Sequence, residues 1–270
     1  MNPRTITCVV PTLNGAATLD FTLASLLNQK GVELRVVVVD SGSTDDTLAI
    51  CRRWGVETLY EPPGNMYKAI NLGMATASSE WVAYVNSDDL LFGSSLERLI
   101  DLGRASSADL VYGDADFIDF DGRFLSSYSS ARPDELLPLF RSHIMGLVQP
   151  SVIYTAAAYH RLNGFDTQYR LGADADFYLR ALLTGMKYAY LPKTTVTAFR
   201  LHAGQQTGKN LESFAVELKQ IFEPIGAPSV SDRVVLARWR TRNGPNYMMR
   251  AARLALLGRG LHFPRFSSQL

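Results

Sequence analysis

The sequence has few cysteines, no long apolar run and almost no net charge, and each absence excludes a class of protein. Cys8 and Cys51 are the only cysteines of 270 residues, and neither has CxxC or zinc-ligand spacing, which argues against a disulfide framework. Lys and Arg number 27 against 26 Asp and Glu, a net charge of +1 that lacks the basic excess of nucleic-acid-binding proteins. We therefore expect no nucleic-acid partner.

Segments that direct a chain to or across a membrane are also missing. No stretch approaches the roughly 18 apolar residues of a spanning helix, and the first 15 residues lack the apolar core of a signal peptide. With 47 % hydrophobic and 20 % charged residues, the composition is that of a folded globular protein. We expect a cytoplasmic protein with two reduced thiols.

Basic residues are concentrated near the C-terminus. Residues 231–270 contain eight arginines and one acid, Asp232, for a charge of +7, so the other 230 residues carry −6. Large apolar side chains are mixed with these arginines, which suits an anionic membrane surface, where each basic residue contributes about 1 kcal/mol. A helix packed on the domain with a solvated basic face has the same pattern. Both interpretations stay open, and the first would place the protein peripherally on the inner face of the cell membrane.

Strand-like and helix-like segments alternate along the first 120 residues. Their order, β-α-β-α-β-α-β-α-β, predicts an α/β fold with a mainly parallel, doubly wound sheet and helices on both faces. The predicted strands are Thr5–Val10, Leu34–Val39, Val56–Tyr60, Trp81–Val85 and Leu110–Tyr112, and the predicted helices are Thr18–Gln29, Asp45–Trp54, Met66–Ala77 and Leu96–Gly103.

The rest of the chain is less regular and contains no clear linker. Asp119–Arg123 is typical of a tight hairpin turn. Helices are predicted at Pro133–Ser142, Ala173–Leu183 and Asn210–Phe222, and an extended segment at Val148–Thr155. We expect one domain over residues 1–225 and a basic, amphipathic helical extension over residues 226–270.

Polar residues cluster where the predicted strands end, and in such sheets ligands bind outside the carboxyl ends of the strands. The segments at this edge are 11–15, 40–45, 61–65, 86–89 and 113–116, and most of their residues are carboxylates, amides, hydroxyls or glycines. No GxGxxG follows the first strand and there is no P-loop, which argues against hydride chemistry with a dinucleotide.

Asp88 and Asp89 directly follow the predicted strand Trp81–Val85. Two carboxylates at a strand end suit a hard divalent cation, Mn²⁺ or Mg²⁺, whose coordination is commonly completed by substrate phosphates. An Asx-type turn or a helix cap explains the same residues without a ligand. Asp40 also ends a strand, where it could bond to a base or ribose or cap the next helix.

Four blocks of sequence, in order, resemble family 2 glycosyltransferases of the GT-A fold. The blocks are Val9-Val-Pro-Thr-Leu-Asn-Gly15 with Val37-Val-Val-Asp40-Ser-Gly-Ser-Thr-Asp-Asp-Thr47, then Asn65-Met-Tyr-Lys-Ala-Ile-Asn-Leu-Gly73, then Tyr84-Val-Asn-Ser-Asp-Asp89, and finally Gly164-Phe-Asp166 with Ala173-Asp-Ala-Asp-Phe-Tyr-Leu-Arg180. The match is most similar to bacterial enzymes that build exopolysaccharide, capsule or lipopolysaccharide. It implies a nucleotide-binding half over residues 1–120 and an acceptor-side half over residues 121–225.

The resemblance implies a nucleotide-sugar site in the first half. Thr12 and Asn14 would lie beside the base and ribose, and Asp40 would hold the edge of a pyrimidine. UDP is therefore the first expectation for the nucleotide, and dTDP the second. The implied nucleotide-binding residues are Pro11, Thr12, Asn14, Asp40, Asn65, Lys68 and Ser87.

A divalent metal, Mn²⁺ or Mg²⁺, is also implied. Asp88 would bind the metal that bridges the diphosphate of the donor, and Asp89 would lie beside it, near the sugar or the metal. His202 is a further implied ligand, although a lone histidine also fits a structural role. Asn86 departs from the family pattern, because the fuller motif has an Asp at its position.

The implied general base is Asp174, which would deprotonate the hydroxyl of the acceptor so that the anomeric centre is inverted. Asp176 is the alternative, but Arg180 stands four residues later, and an ion pair between the two explains Asp176 without catalysis.

We therefore expect an inverting, metal-dependent glycosyltransferase. Its partners would be a nucleotide-diphosphate sugar and a saccharide or lipid-linked saccharide of a cell-surface polysaccharide. Two alternatives remain at this point: a non-catalytic subunit that binds nucleotide sugars at the membrane, and a sugar nucleotidylyltransferase.

Overall fold

A mixed β-sheet forms the centre of the computed structural model, which describes residues 3–205 and 210–256. In chain order its strands are Thr5–Thr12 (β1), Glu33–Asp40 (β2), Glu57–Tyr60 (β3), Trp81–Tyr84 (β4), Leu90–Leu91 (β5), Leu110–Ile118 (β6), Phe124–Tyr128 (β7), Val152–Thr155 (β8) and Tyr188–Arg200 (β9). Across the sheet the order is β3-β2-β1-β4-β8-β6-β9-β5, and β7 pairs with β6.

Helices cover both faces of this sheet. They are Ala16–Leu27 (α1), Thr47–Trp54 (α2), Met66–Ala75 (α3), Ser95–Ser106 (α4), Pro133–Arg141 (α5), Ala156–Arg161 (α6), Ala173–Leu183 (α7), Leu211–Phe222 (α8) and Val230–Leu256 (α9). Within residues 3–205 and 210–256, none of the helices has the length and apolar character that crossing a bilayer requires.

The first four strands are parallel, as the sequence predicts. β1 pairs with β2 and β4, and β2 with β3, all in parallel register. Alternate side chains of β2 enter two separate apolar cores, Val37 and Val39 on one face and Val36 and Val38 on the other, which explains the continuous apolar run. Gly73 lets α3 lie close to the sheet, because a Cβ there would approach Val9 Cγ1 to 2.6 Å.

The remaining strands make the sheet mixed, whereas the sequence predicts a mainly parallel one. β8 runs antiparallel between β4 and β6, and β6 in turn is antiparallel to β7 and parallel to β9. The predicted turn at Asp119–Arg123 is present and joins β6 to β7. The parallel prediction fails here because the hairpin between β6 and β7 reverses the direction of the chain, and the connection through α5 leaves β8 in this reversed direction.

The described part of the C-terminal extension is a helix packed on the domain. Trp239 is buried, and Asn243 makes two hydrogen bonds to the backbone of Ser129, with Oδ1 accepting from its N–H at 3.0 Å and Nδ2 donating to its carbonyl at 3.1 Å. Arg242 pairs with Glu135 at 2.8 Å. The packed-helix interpretation is thus confirmed for residues 230–256, and residues 257–270 lie outside the described part of the chain.

Candidate functional site

The loops after β1 and β2 are joined at the predicted ligand edge. Thr12 and Asp40 are direct partners in the β1–β2 register. Asn14 has a left-handed backbone (φ 52°), its N–H donates to Ser43 Oγ at 2.8 Å, and its Oδ1 accepts from the N–H of Thr44 at 2.8 Å. The conformation of Asn14 therefore holds the two loops together.

Asp40 shapes the loop that follows it. Its Oδ2 accepts from the backbone N–H groups of Gly42 (2.9 Å) and Ser43 (3.0 Å), and its Oδ1 accepts from Ser43 Oγ at 2.5 Å. Asp40 thus forms an Asx-type turn and does not cap the next helix, the alternative that the sequence left open for it, since the N-cap of α2 is Asp46. A further contact of Asp40 with a pyrimidine base stays a prediction, and it would have to use the lone pairs that the loop leaves unused.

Two buried oxygen atoms at this edge lack hydrogen-bond partners within the described residues: Oγ1 of Thr12 and Oδ1 of Asn86. Buried polar atoms are seldom left unpaired, so these two oxygen atoms are candidates for contact with a bound water or ligand. Gly15 lies against Thr12 and Ser87, since a Cβ there would come within 2.5 Å of Thr12 Oγ1 and 3.1 Å of Ser87 Oγ. Thr12, Gly15 and Ser87 thus converge, whereas Pro11 is a buried residue of β1.

Asp88 and His202 meet although 114 positions separate them. His202 Nε2 lies 2.8 Å from Asp88 Oδ2, and both side chains are about one-fifth exposed. The ring of Phe120 contacts the imidazole edge-on at 5.7 Å between ring centroids. The fold therefore places a carboxylate oxygen and an imidazole nitrogen side by side at the predicted ligand edge.

Asp89 does not share this position. It is fully buried, and its Oδ1 accepts from the N–H of Arg200 at 2.9 Å. Burial raises the pKa of Asp89 well above its ordinary value, and the neighbouring charge of Asp88 raises it further. We therefore correct the expectation that Asp89 is a metal ligand. Its side chain is buried and bonds to the backbone of Arg200, whose own side chain bonds to the carbonyl of Asp88.

Arg200 organises this region and was not predicted as a site residue. Its side chain is buried and donates to the backbone carbonyl groups of Asp88 (2.8 Å), Phe120 (2.7 Å) and Asp119 (3.2 Å). It thus joins the Asp88 loop to the β6–β7 turn. The only signal in the sequence that could have identified Arg200 as a site residue is its place two residues before His202. Its hydrogen-bond partners lie 80 to 112 positions away and leave no local pattern.

Asp174 lies in the first turn of α7, in an apolar setting. Its Oδ1 accepts from the N–H of Ala175 (2.8 Å) and the hydroxyl of Tyr67 (3.2 Å). Burial raises the pKa of Asp174 to about 6, and these hydrogen bonds lower it in part. Asp176 is paired with Arg180 at 2.7 Å, as its spacing predicts, so the structure favours Asp174 over Asp176 as a base.

Side chains of α3 connect the two halves of the domain. Asn65 caps α3 by accepting from the N–H of Tyr67 (2.9 Å) and donates to the carbonyl of Thr167 (2.8 Å). Asn71 bonds to both the N–H (3.0 Å) and the carbonyl (2.8 Å) of Phe165. The amide of Asn65 is thus used within the protein, and nucleotide binding by this partly exposed residue stays a prediction. Lys68 lies exposed on α3, and nucleotide binding by it stays a prediction.

Residues of α3 and β4 lie between Asp174 and the predicted ligand edge. Tyr67, its hydrogen-bond partner, packs edge-on against Tyr84 with 6.5 Å between ring centroids. Tyr84 ends β4, two residues before Asn86. A chain of contacts through Tyr67 and Tyr84 thus links the candidate base to the strand that leads into the Asp88 loop.

Comparison with known proteins supports the family resemblance seen in the sequence motifs. The sequence model of the family described as Glycosyl transferase family 2 matches residues 7–162. The succinoglycan biosynthesis protein ExoO of Rhizobium meliloti (strain 1021) is 32 % identical over 222 residues, which are 71 % of this chain and 61 % of that protein. A PGL/p-HBAD biosynthesis glycosyltransferase of Mycobacterium bovis (strain BCG / Pasteur 1173P2) is 29 % identical over 64 % of this chain and 67 % of its own length.

Solved structures share the fold. S. aureus TarS 1–349 in complex with UDP-GlcNAc superposes with a TM-score of 0.65 at 20 % identity, over 88 % of this chain and 72 % of that one. The mannosyltransferase PcManGT from Pyrobaculum calidifontis, in complex with GDP-Man and Mn²⁺, gives a TM-score of 0.59 at 20 % identity, over 96 % and 76 % of the two chains. At this identity the likeness concerns the fold alone.

Proposed function

Because the chain belongs to glycosyltransferase family 2 and has the GT-A fold, we propose that it transfers a sugar, with inversion, from a nucleotide-diphosphate sugar to a saccharide or lipid-linked saccharide. The observation that carries this proposal is the 2.8 Å approach of His202 to Asp88 at the carboxyl ends of the strands. Relatives named for succinoglycan and PGL/p-HBAD biosynthesis support an acceptor from a cell-surface glycan or glycolipid.

The nucleotide is expected to be UDP. The TarS structure holds UDP-GlcNAc, which supports this choice, whereas the mannosyltransferase holds GDP-Man, so the fold accommodates both kinds of nucleotide. Thr12, Asn14 and Ser87 are the residues we propose to lie against the donor. The unpaired Oγ1 of Thr12 supplies the polar atom that such a contact needs.

The residues at the edge fit a divalent cation, Mn²⁺ or Mg²⁺. Asp88 Oδ2 and His202 Nε2 would hold it, and the unpaired Oδ1 of Asn86 belongs to the same loop. Across the described ranges, no three His, Cys, Asp or Glu side chains converge on one point, so phosphate oxygens and water must complete the coordination. When bound, the cation would stabilise the negative charge of the leaving diphosphate.

Asp174 performs the proton transfer in this proposal. The acceptor oxygen forms a bond to the anomeric carbon, its proton passes to the Asp174 carboxylate, and the bond to the diphosphate breaks with its electron pair leaving on the nucleotide. Attack from the face opposite the leaving group inverts the anomeric centre. Burial raises the pKa of Asp174 to about 6, which makes it a stronger base than an exposed aspartate. Because this value is still below 7, the carboxylate is mostly ionised at pH 7.

We also propose contact with an anionic membrane surface through the outer face of α9. Arg233, Arg238 and Arg240 are exposed there, beside Val230 (80 % exposed) and Met248 (76 % exposed). Replacing the three arginines by Gln tests this without disturbing the buried face of the helix. We expect co-sedimentation with phosphatidylglycerol vesicles to be lost while nucleotide binding stays unchanged. Equal sedimentation of both proteins would contradict the proposal.

Calorimetric binding of UDP, dTDP and GDP, with and without Mn²⁺, tests the donor site. We expect metal-dependent binding of one nucleotide by the wild type, and loss of that binding in Asp88→Ala. Asp101→Ala is the matched control, since Asp101 pairs with Arg4 on the surface. Absence of binding by the folded wild type would contradict the transferase proposal and favour a non-catalytic role.

Turnover is then tested by release of the nucleotide from its sugar donor. Asp174→Asn should bind the nucleotide as well as the wild type does but release none from the donor. Loss of nucleotide affinity in this variant would contradict the role of Asp174 as base.

A further inference from the structure

One carboxylate holds the whole segment that leads into the candidate base. Glu217, on α8, accepts three consecutive backbone hydrogen bonds: Oε1 from the N–H of Arg170 at 2.9 Å, and Oε2 from those of Leu171 (2.9 Å) and Gly172 (2.8 Å). Gly172 is the N-cap of α7, and Asp174 follows two residues later. A carboxylate is favourable at this place, because it faces the positive end of the helix dipole.

The segment 170–172 is held from its other side by α3. The hydroxyl of Tyr67 lies 3.1 Å from the carbonyl oxygen of Leu171 and 3.2 Å from Asp174 Oδ1. The N–H groups of the segment therefore bond to Glu217 of α8. The carbonyl of Leu171 and the carboxylate of Asp174 bond to Tyr67 of α3. Segment 170–172 is fixed between two helices rather than exposed as a free loop.

α8 is itself firmly anchored. Leu218, Ile221 and Phe222 are buried, and the ring of Phe222 stacks on Phe140 of α5 with 5.2 Å between ring centroids. Gly172 lies tightly against α8, since a Cβ there would come within 3.1 Å of Ile221 Cδ1 and 3.4 Å of Glu217 Oε2. A shift of α8 would therefore displace the start of α7.

We propose that Glu217 is a positioning residue that sets the location and the ionisation of Asp174. This inference rests on the proposed role of Asp174 as the base. Both residues lie beyond residue 162, where the match to the family ends.

The charge of Glu217 acts in addition to its hydrogen bonds. The groups that face Asp174 are Tyr67 from α3, Tyr84 from β4, Tyr154 from β8, Tyr178 from α7 and Glu217 from α8. Burial is the main cause of the raised pKa of Asp174, the hydroxyl of Tyr67 lowers it, and the negative charge of Glu217 raises it. Removing that charge should therefore lower the pKa of Asp174.

Hydrogen exchange of the full-length protein tests the geometry without any substrate. Glu217→Gln replaces one acceptor oxygen by an NH₂ group that faces an N–H, so the amides of residues 170–172 should exchange faster than in the wild type. Glu212→Gln, an exposed change on the same helix, should leave their exchange unchanged. Unchanged exchange in Glu217→Gln would overturn the proposal.

Turnover tests the consequence for catalysis. It is measured as release of the nucleotide from the sugar donor, with water as the acceptor, and the donor carries the nucleotide that binds in calorimetry. Misplacement of a catalytic group by about 1 Å costs about 10²-fold, so we expect kcat of Glu217→Gln to fall by about that factor with the donor KM unchanged. The acid limb of its pH profile should move to lower pH. Glu217→Asp, which keeps the charge, should retain the wild-type limb and part of the rate.

A second variant changes the contact between Glu217 and Gly172 at Gly172 instead of at Glu217. It keeps the proposal testable if Glu217→Gln does not fold. Gly172→Ala keeps the carboxylate but crowds Ile221, so it should lower kcat without moving the acid limb. If Asp174→Asn retains turnover, the proposed function itself fails. If Asp174→Asn is inactive while Glu217→Gln keeps the wild-type kcat and acid limb, this inference alone is overturned.

Discussion

Replacing Asp174 by Asn should stabilise the protein while abolishing its activity. In the folded protein, burial raises the pKa of Asp174 from 3.8 to about 6. Because the folded state holds this proton more tightly than the unfolded chain does, the free energy of unfolding falls as the pH rises through this interval. The interval is about two pKa units, and at about 1.4 kcal/mol per unit the ionised carboxylate costs about 3 kcal/mol at pH 7.

The neutral amide in Asp174→Asn would avoid this cost without losing the local hydrogen bonds. Asp174 accepts both of its bonds, from Ala175 and Tyr67, at Oδ1, and the amide oxygen of Asn can accept both in the same place. The expected gain in the free energy of unfolding is therefore near zero below about pH 3, grows as the pH rises through both pKa values and is constant above about pH 7.

Urea unfolding of the wild type and Asp174→Asn across this range measures the gain. Asp101→Asn is the control, since Arg4 lowers the pKa of Asp101 and its replacement should give no gain at any pH. Equal stability of Asp174→Asn and the wild type at pH 7, or a gain that does not vary with pH, would refute the argument that Asp174 is held in an unfavourable ionised state.

Three further changes test other contacts. Tyr67→Phe removes the hydroxyl that lowers the pKa of Asp174, so the acid limb of turnover should move to higher pH, opposite to Glu217→Gln; a pH–rate profile with an unmoved limb would contradict this. Arg200 reaches three backbone carbonyls from two nitrogens of its planar guanidinium, Nε and Nη1, and the single ammonium nitrogen of Lys cannot occupy both places. Arg200→Lys should therefore lower the free energy of unfolding by about 3 kcal/mol and weaken metal-dependent nucleotide binding, and intact calorimetric binding would show that the donor site does not depend on Arg200. Asn243→Ala removes both bonds to Ser129 and should cost about 1 to 3 kcal/mol in urea unfolding with nucleotide binding unchanged; a loss of binding would show that α9 supports the donor site.

The sequence predicts what depends on local pattern. The parallel order of β1 to β4 follows from the alternation of apolar strands and amphipathic helices, and Asp88 stands out as a carboxylate at a strand end. Asp174, in contrast, was indicated by the family resemblance. The pairing of Asp176 with Arg180 is also local, because four residues make one helical turn.

What could not be predicted depends on partners far along the chain. No local pattern predicts the bond from Asn65 to the carbonyl of Thr167, 102 positions away. Asp88 and Asp89 have the same local sequence signal, and only the backbone N–H of Arg200, 111 positions away from Asp89, decides which one turns inward. The antiparallel direction of β8 is likewise set by tertiary packing, since a four-residue strand carries no sign of its direction.

The position of β8 has a consequence for the synthesis of this protein. β4 ends at Tyr84, but the strand that covers its open side is complete only at Thr155, 71 residues later. At about 5 to 20 residues per second, a ribosome needs roughly 4 to 14 seconds to make that stretch, and during this time the β4 edge of a parallel half-sheet has no partner. Such an edge invites pairing with other nascent chains. Slow translation or crowded polysomes should therefore favour aggregation, and a chaperone that shields the first half until β8 emerges should raise the yield of folded enzyme.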